Sequence, residues 1–461
     1  MLHTLPLLPP TVATTPESRL AYVLHHFRQA YDGVPKMAIG YAATQPQVEI
    51  AEAAGTFFTE TCPYPAPPNW RDWHGQQLPF FFDPNPKAPL LELLPAGRAR
   101  INADIVSVAF YLLSGWQEFF SDERDRHGRF PFAASVQHRY GFVAVPVVNY
   151  YFEVLKTAVE HATDQPLAPR RWAGGAPFAT FVTHDIDSLH GAWKAPAKVA
   201  LRSGRLLNFG RQLWRHFTQP DAWNNLELVQ RTVAEFGAKS TFFFLPEHRK
   251  AADSTPNADY KLITVLPRIR ALEAAGAEIR LHASIGTSSN ASQLMQEASI
   301  GFCTPDNVPG VRFHYLQWEP RITPALVDDL AFEYDSTLGF AEHYGFRNSY
   351  CLPFQPFDFQ TGKRFDFLEI PLNVMDATLH HPNYLQLAPD EILPALTPMF
   401  REIGRFGGVC TLLWHNDHFD PANTATGPRQ FAELMHYLRS RNTAFVNGTD
   451  VVDWWDAGVV D

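Results

Sequence analysis

Over the last three-fifths of the chain, short apolar runs recur between stretches whose apolar residues return every three or four positions. The runs are FATFVT, STFFFLP, EIRLHAS, VRFHYL, YDSTLGF, FLEIPLNV, VCTLLWH and TAFVNGT, about eight strand candidates of ordinary strand length. Between several of them a helix would carry one apolar face: Val229, Val233 and Phe236; Leu262, Val265, Leu266, Ile269 and Leu272; Phe431, Leu434 and Leu438. Strand and helix alternate, which predicts a parallel sheet, and about eight such units in under 300 residues predict a (β/α) barrel. Pro267 interrupts one helical pattern and predicts a kink or a restart there. Residues 188–225 read as a partly helical excursion after the first barrel strand.

Upstream, MAIGYAA, IVSVAFYLLSGWQEFF and YGFVAVPVVNYYFEVLKTAVEHA predict a mixed α/β region, the last segment helical after Pro146. The stretch ATDQPLAPRRWAGGAP, residues 162–177, is rich in Pro, Gly and charge and lies between the two apolar, periodic regions. It predicts an N-terminal α/β domain over 1–175 and the barrel over 176–461. The first of these carries no recognisable catalytic pattern.

Composition narrows the classes. With 461 residues, 46% hydrophobic and 19% charged, the chain is long enough for two packed domains and too apolar for wholesale disorder. Its net charge of −10 comes with no run of Lys or Arg, so no footprint is expected for nucleic acid or for an anionic lipid surface. Cys62, Cys303, Cys351 and Cys410 lack a CxxC spacing, which argues for a reduced setting. The start, MLHTLPLLPPTVATTPESRL, has no basic leader region and is broken by Pro6, Pro9 and Pro10, and no run reaches the ~20 apolar residues of a membrane span. A cytoplasmic protein is the expectation.

Four polar clusters sit at the ends of candidate strands. In Thr183-His184-Asp185-Ile186-Asp187, residues two apart on an extended segment point the same way, so Asp185 and Asp187 present paired carboxylates. At a barrel strand's carboxyl end such a pair can hold a metal and take a proton from an activated water; an Asp-rich turn capping the next helix is the competing reading. His282 ends EIRLHAS, Arg312 and His314 share a face in VRFHYL, and His415 follows VCTLLW. Each alone is a weak signal: an isolated histidine such as His282 is more often a structural hydrogen-bonder than a ligand, and a packed surface strand is the competing reading for Arg312 and His314. Together, four such clusters would converge on one barrel mouth.

The order THDID, LHAS, VRFHY and LLWHN resembles the motif series of the polysaccharide deacetylases, which include chitin-oligosaccharide and peptidoglycan deacetylases, over roughly residues 178–455. The resemblance implies a distorted (β/α) barrel and a divalent metal, zinc by preference. The substrate it implies is an N-acetylated oligosaccharide or polysaccharide. It makes Asp185 the catalytic base, Asp187 and His282 metal ligands, Arg312 the brace of Asp185, and His415 the proton donor to the departing amine. The family's second motif pairs two histidines, but Gly286 stands at the second position here, so His314 is expected as the third ligand. YDSTLGF around Asp335, LEIPLNVMDATL around Asp376, and SGWQEFF and RHGRFPF within 100–160 resemble a bacterial subgroup with an extra N-terminal domain of unknown function. Trp318 and Trp414 are candidates for stacking on sugar rings. Two other readings stay open: a glycoside hydrolase using the Asp pair, and a carbohydrate-binding barrel whose metal went with the Gly286 change.

Overall fold

The computed structural model describes residues 14–300 and 309–458. Each of the eight apolar runs contains a strand: β1 (Ala179–Ile186), β2 (Thr241–Phe244), β3 (Glu278–Ala283), β4 (Gly310–Phe313), β5 (Tyr334–Asp335), β6 (Leu368–Glu369) with β7 (Leu372–Met375), β8 (Val409–Leu413) and β9 (Ala444–Val446). They pair in the order β6-β5-β4-β3-β2-β1-β8-β7, parallel throughout. All eight residues of β1 are buried, as expected of a parallel strand covered on both faces. One edge of β1 is shared: β9 pairs with Ala179–Phe181 and β2 with Thr183–Ile186.

The two ends of the sheet are consecutive in the chain, separated by Ile370 and Pro371. Ile370 N–H donates to the Asp335 carbonyl at 2.8 Å, whereas Leu372–Met375 pairs with β8. A single stretch of chain therefore serves both edges, and the sheet curls back on itself as a distorted (β/α) barrel.

Pro267 does not break its helix, which runs Leu262–Ala274 as one element. It lies on the exposed side, while Leu262, Val265, Ile269 and Leu272 are buried. Four buried side chains at about 1.5–3 kcal/mol each outweigh the roughly 3 kcal/mol cost of an interior proline.

The N-terminal region is also α/β. A four-stranded sheet, 39–41, 48–50, 98–101 and 91–94 in spatial order, mixes parallel and antiparallel pairs. Against it lies helix Val147–Thr163, which starts directly after Pro146, and on that helix packs Ile105–Leu113, buried along its whole length. Part of its contact with the barrel runs through the excursion between β5 and β6. Arg347 there pairs with Glu118 at 2.6 Å, both side chains almost fully buried, and Gln137 Nε2 donates to the Arg347 carbonyl at 2.7 Å. Asn149 Oδ1 accepts from Cys351 N–H, and Tyr22 donates to the Gln355 carbonyl. One apolar core runs from Tyr22 through Phe357 to Leu438, spanning both regions. Among the described residues no helix is long and apolar enough to cross a membrane.

Removing one partner of a buried ion pair strands the other charge. Arg347→Ala is therefore expected to cost about 3–5 kcal/mol, read as a lower urea midpoint. The shared core further predicts that the N-terminal region and the barrel unfold together, seen as coincident transitions by fluorescence and circular dichroism.

Candidate metal centre and proton-transfer groups

The carboxyl ends of β1, β3, β4, β7 and β8 open on one pocket of about 350 Å³, into which Asp185, Asp187, His282, His314 and His415 project. Arg312 lies beneath it with no exposed surface. Its Nη1 donates to Asp185 Oδ1 and to Thr183 Oγ1, both at 2.9 Å, its Nε to the Ser336 carbonyl at 2.7 Å, and its Nη2 to Ser336 Oγ at 2.9 Å. The guanidinium also lies 4.4 Å from the centre of the Phe243 ring. A desolvated cation needs a charged partner as well as hydrogen bonds, and Asp185 is that partner.

His282 and His314 have their tautomers set from behind. His282 Nδ1 lies 2.9 Å from the Arg312 carbonyl and His314 Nε2 lies 3.2 Å from the Pro256 carbonyl. Carbonyl oxygens only accept, so these nitrogens carry the protons and the lone pairs sit on His282 Nε2 and His314 Nδ1. Those two atoms are 3.1 Å apart, and they stand 3.4 and 3.5 Å from Asp187 Oδ1. That oxygen is buried without a hydrogen-bond partner among the described residues. Three electron-pair donors all within 4.8 Å of one another repel unless a cation stands among them. Two imidazoles and one carboxylate suit a divalent metal.

The polar environment of the same atoms is lopsided. Burial works to neutralise His282, but the Asp185 and Asp187 carboxylates override it and raise its pKa. His314, where burial wins, is lowered to about 4. Asp187 is held well below the usual carboxylate range: burial opposes this, and the His314, His282 and His415 imidazoles more than offset it.

Gly286, four residues after His282, has φ +92°, a left-handed conformation that would strain any side chain. It opens a short turn, and its N–H donates to Gln317 Oε1. The imidazole comes from β4 instead. Immediately after His314 the chain turns sharply through Tyr315 (φ 58°) and Leu316 (φ 54°), and the His314 ring packs edge-on against His282 with centroids 4.9 Å apart.

On the opposite side, His415 Nδ1 lies 2.8 Å from Asp376 Oδ1, leaving Nε2 directed into the pocket, 3.8 Å from Asp187 Oδ2. Burial disfavours a charged imidazole here, yet Asp376 holds the His415 pKa well above its ordinary value. Asp376 itself is fully buried and lies below the usual carboxylate range, where the His415 and His418 imidazoles outweigh desolvation. Sequence reading marked Asp376 only as part of a family-like segment. The usable signal was an acid directly following the apolar strand LNVM, the same arrangement as in the first cluster.

Two expectations are corrected. Trp318 and Trp414 are 3% and 0% exposed and belong to the core, Trp318 packing against the Phe313 ring and Trp414 against the Phe431 ring. The aromatics at the mouth are Tyr315 and Tyr384. His184 of the first cluster is also buried, its Nδ1 2.7 Å from the Trp414 carbonyl.

The N-terminal region contributes a wall of this pocket through Arg126, His127 and Arg129, the segment RHGRFPF. The segment is tied to the chain after β4: Arg124 pairs with Glu319 at 3.1 Å, Arg129 Nη1 donates to the Tyr315 carbonyl at 3.0 Å, and Gln317 Nε2 donates to the His127 carbonyl at 3.1 Å. The His127 ring stacks on Tyr315, 4.7 Å between centroids.

Residues 14–164 match a family described as a family of unknown function (DUF7033). A comparison with curated proteins returned no match. Among solved structures, a putative polysaccharide deacetylase from Mycobacterium smegmatis aligns at 17% identity and TM-score 0.42, covering 64% of this chain and 95% of that one. Puue allantoinase aligns at 17% identity and TM-score 0.40, covering 63% and 94%. A probable polysaccharide deacetylase from Pseudomonas aeruginosa PAO1 aligns at 15% identity and TM-score 0.39, covering 63% and 95%. The chain is thus similar over part of its length to polysaccharide deacetylases and an allantoinase, and over residues 14–164 to a family of unknown function.

Proposed function

We propose that this chain is a metal-dependent hydrolase of non-peptide carbon–nitrogen bonds that removes the acetyl group from an N-acetylated sugar or polysaccharide. The observation that carries the reading is the convergence of donor atoms from Asp187, His282 and His314 on one point, flanked by the Arg312-bound Asp185 and the Asp376-backed His415. The motif order THDID, LHAS, VRFHY, LLWHN supports the acetylated-sugar substrate.

Asp187, His282 and His314 would hold the metal, with zinc favoured by the two-nitrogen, one-oxygen donor set. When bound, such an ion polarises the acyl carbonyl and lowers the pKa of a water toward ~7. Asp185 accepts the proton of the attacking water. Arg312 holds that carboxylate in place through its Nη1 bond to Oδ1. His415 delivers a proton from Nε2 to the departing amine, while Asp376 fixes its ring and stabilises the charged imidazole. The N-terminal region, divided from the barrel near residue 175, closes one side of the substrate pocket with Arg126 and His127.

Metal-stripped protein is expected to bind one equivalent of zinc by calorimetry, and Asp187→Asn, His282→Ala and His314→Ala to abolish it. Asp185→Asn should bind zinc as wild type does while acetate release from chitin oligosaccharides falls by about 10²–10⁴. Full activity in that variant would refute the base assignment; zinc binding and sugar binding without acetate release in wild type would favour a binding-only barrel. Asp376→Asn should lower kcat by roughly 10² with KM and zinc stoichiometry little changed, because it acts through His415.

A further inference from the structure

Between β1 and β2 the chain leaves the barrel as a helical hairpin, Lys194–Arg202 followed by Leu206–Thr218. Both ends of this excursion are fastened at the pocket rim. Asn416, next to His415, donates through Nδ2 to the Ser188 carbonyl at 2.8 Å and the Trp223 carbonyl at 2.7 Å, and its own carbonyl accepts from Asn225 Nδ2 at 2.9 Å. Asp259 accepts the N–H groups of Leu189 and His190, and Asp221 those of Gly191 and Ala192.

The hairpin differs in kind from the rest of the molecule. Residues 188–220 contain no Asp or Glu and six basic side chains, Lys194, Lys198, Arg202, Arg205, Arg211 and Arg215, in a chain with 48 acidic and 38 basic residues. In the second helix Leu206, Leu207, Gly210, Leu213, Trp214 and Phe217 fall within one arc of the helical wheel, and Arg211 lies outside it. That apolar arc faces outward: Leu207 is 92% exposed, Leu206 68% and Trp214 61%, joined from the first helix by Val199 at 63%.

Apolar exposure on this scale marks a surface that is covered in use. The chemistry of the cover follows from what borders it. A nucleic acid would take the cations and leave Leu207 and Trp214 in water. An anionic bilayer surface satisfies both sets, taking the apolar arc among its headgroups and acyl ends and the Lys and Arg side chains at its phosphates, with no carboxylate on the hairpin to repel them.

We infer that the 194–218 hairpin docks this protein on anionic lipid surfaces. Because the hairpin rises from the rim beside Asp187 and His415, docking brings the pocket to the headgroup layer. On the hydrolase reading above, the substrate class this selects is an N-acetylated saccharide carried by, or lying against, a membrane lipid.

The test is co-sedimentation of the full chain with phosphatidylcholine vesicles, with and without phosphatidylglycerol. Wild type is expected to pellet with the phosphatidylglycerol vesicles and to be released as salt rises. Leu207→Asp combined with Trp214→Asp should reduce the bound fraction about tenfold, and Lys198→Glu with Arg211→Glu should remove the preference for the anionic vesicles. Unchanged thermal unfolding of these variants shows that they are folded, since the substituted side chains are exposed. Wild type remaining in the supernatant, or variants pelleting as wild type does, would overturn the inference. So would a dimer in sedimentation velocity that Leu207→Asp dissolves, which would make a second copy the occupant. Co-sedimentation reads no turnover, so docking and the hydrolase reading stand or fall separately.

Discussion

The centre of the barrel is organised by one guanidinium that water does not reach. Arg312 bonds the Asp185 carboxylate with its side chain and accepts the His282 Nδ1 proton with its backbone carbonyl. It thereby sets the position of one acid and the tautomer of an imidazole on the adjacent strand. A buried cation of this kind is tolerated only when its charge and donors are matched, and losing a partner costs about 3–5 kcal/mol. The stability of the barrel interior and the geometry of the pocket above it are therefore the same set of contacts, from Thr183 on β1 to Ser336 after β5.

The pocket has two further supports of the same design. Pro256 lends a carbonyl to His314, and Asp376 lends a carboxylate to His415. In each case a group behind the imidazole fixes which nitrogen faces the pocket, which is what makes a histidine either a metal ligand or a proton donor. The N-terminal region joins this arrangement through the 124–129 segment, held to the turn after His314. A turn with two left-handed residues, Tyr315 and Leu316, is a strained element, and three bonds from the N-terminal region and its neighbours hold it in place.

Net charge proved a poor guide to surfaces. At −10 overall the chain offers no expected footprint for an anion, and its basic residues form no run. Spaced about one per helical turn through 194–215, they nevertheless collect in a segment without acids, beside an outward apolar arc. Averages over a chain this long conceal such segregation, and period-aware reading of the excursion at 188–225 would have exposed it.

By itself the sequence determined the strand set and the barrel, because strands buried on both faces must be apolar along their whole length and so appear as runs. It also placed Asp185, Asp187, His282, His314 and His415 at strand ends, since polar residues terminating such runs have only the rim to occupy. What only the tertiary structure decided is which of these groups face one another. Asp187 and His314 are 127 positions apart, and their meeting depends on barrel curvature and on backbone turns that no periodicity encodes. The same holds for Asp376 with His415, for the Arg126 and His127 wall, and for the burial of Trp318 and Trp414. Side-chain type says what a residue can do; long-range packing, set by the closed sheet and by contacts between two separately patterned regions, says where it does it.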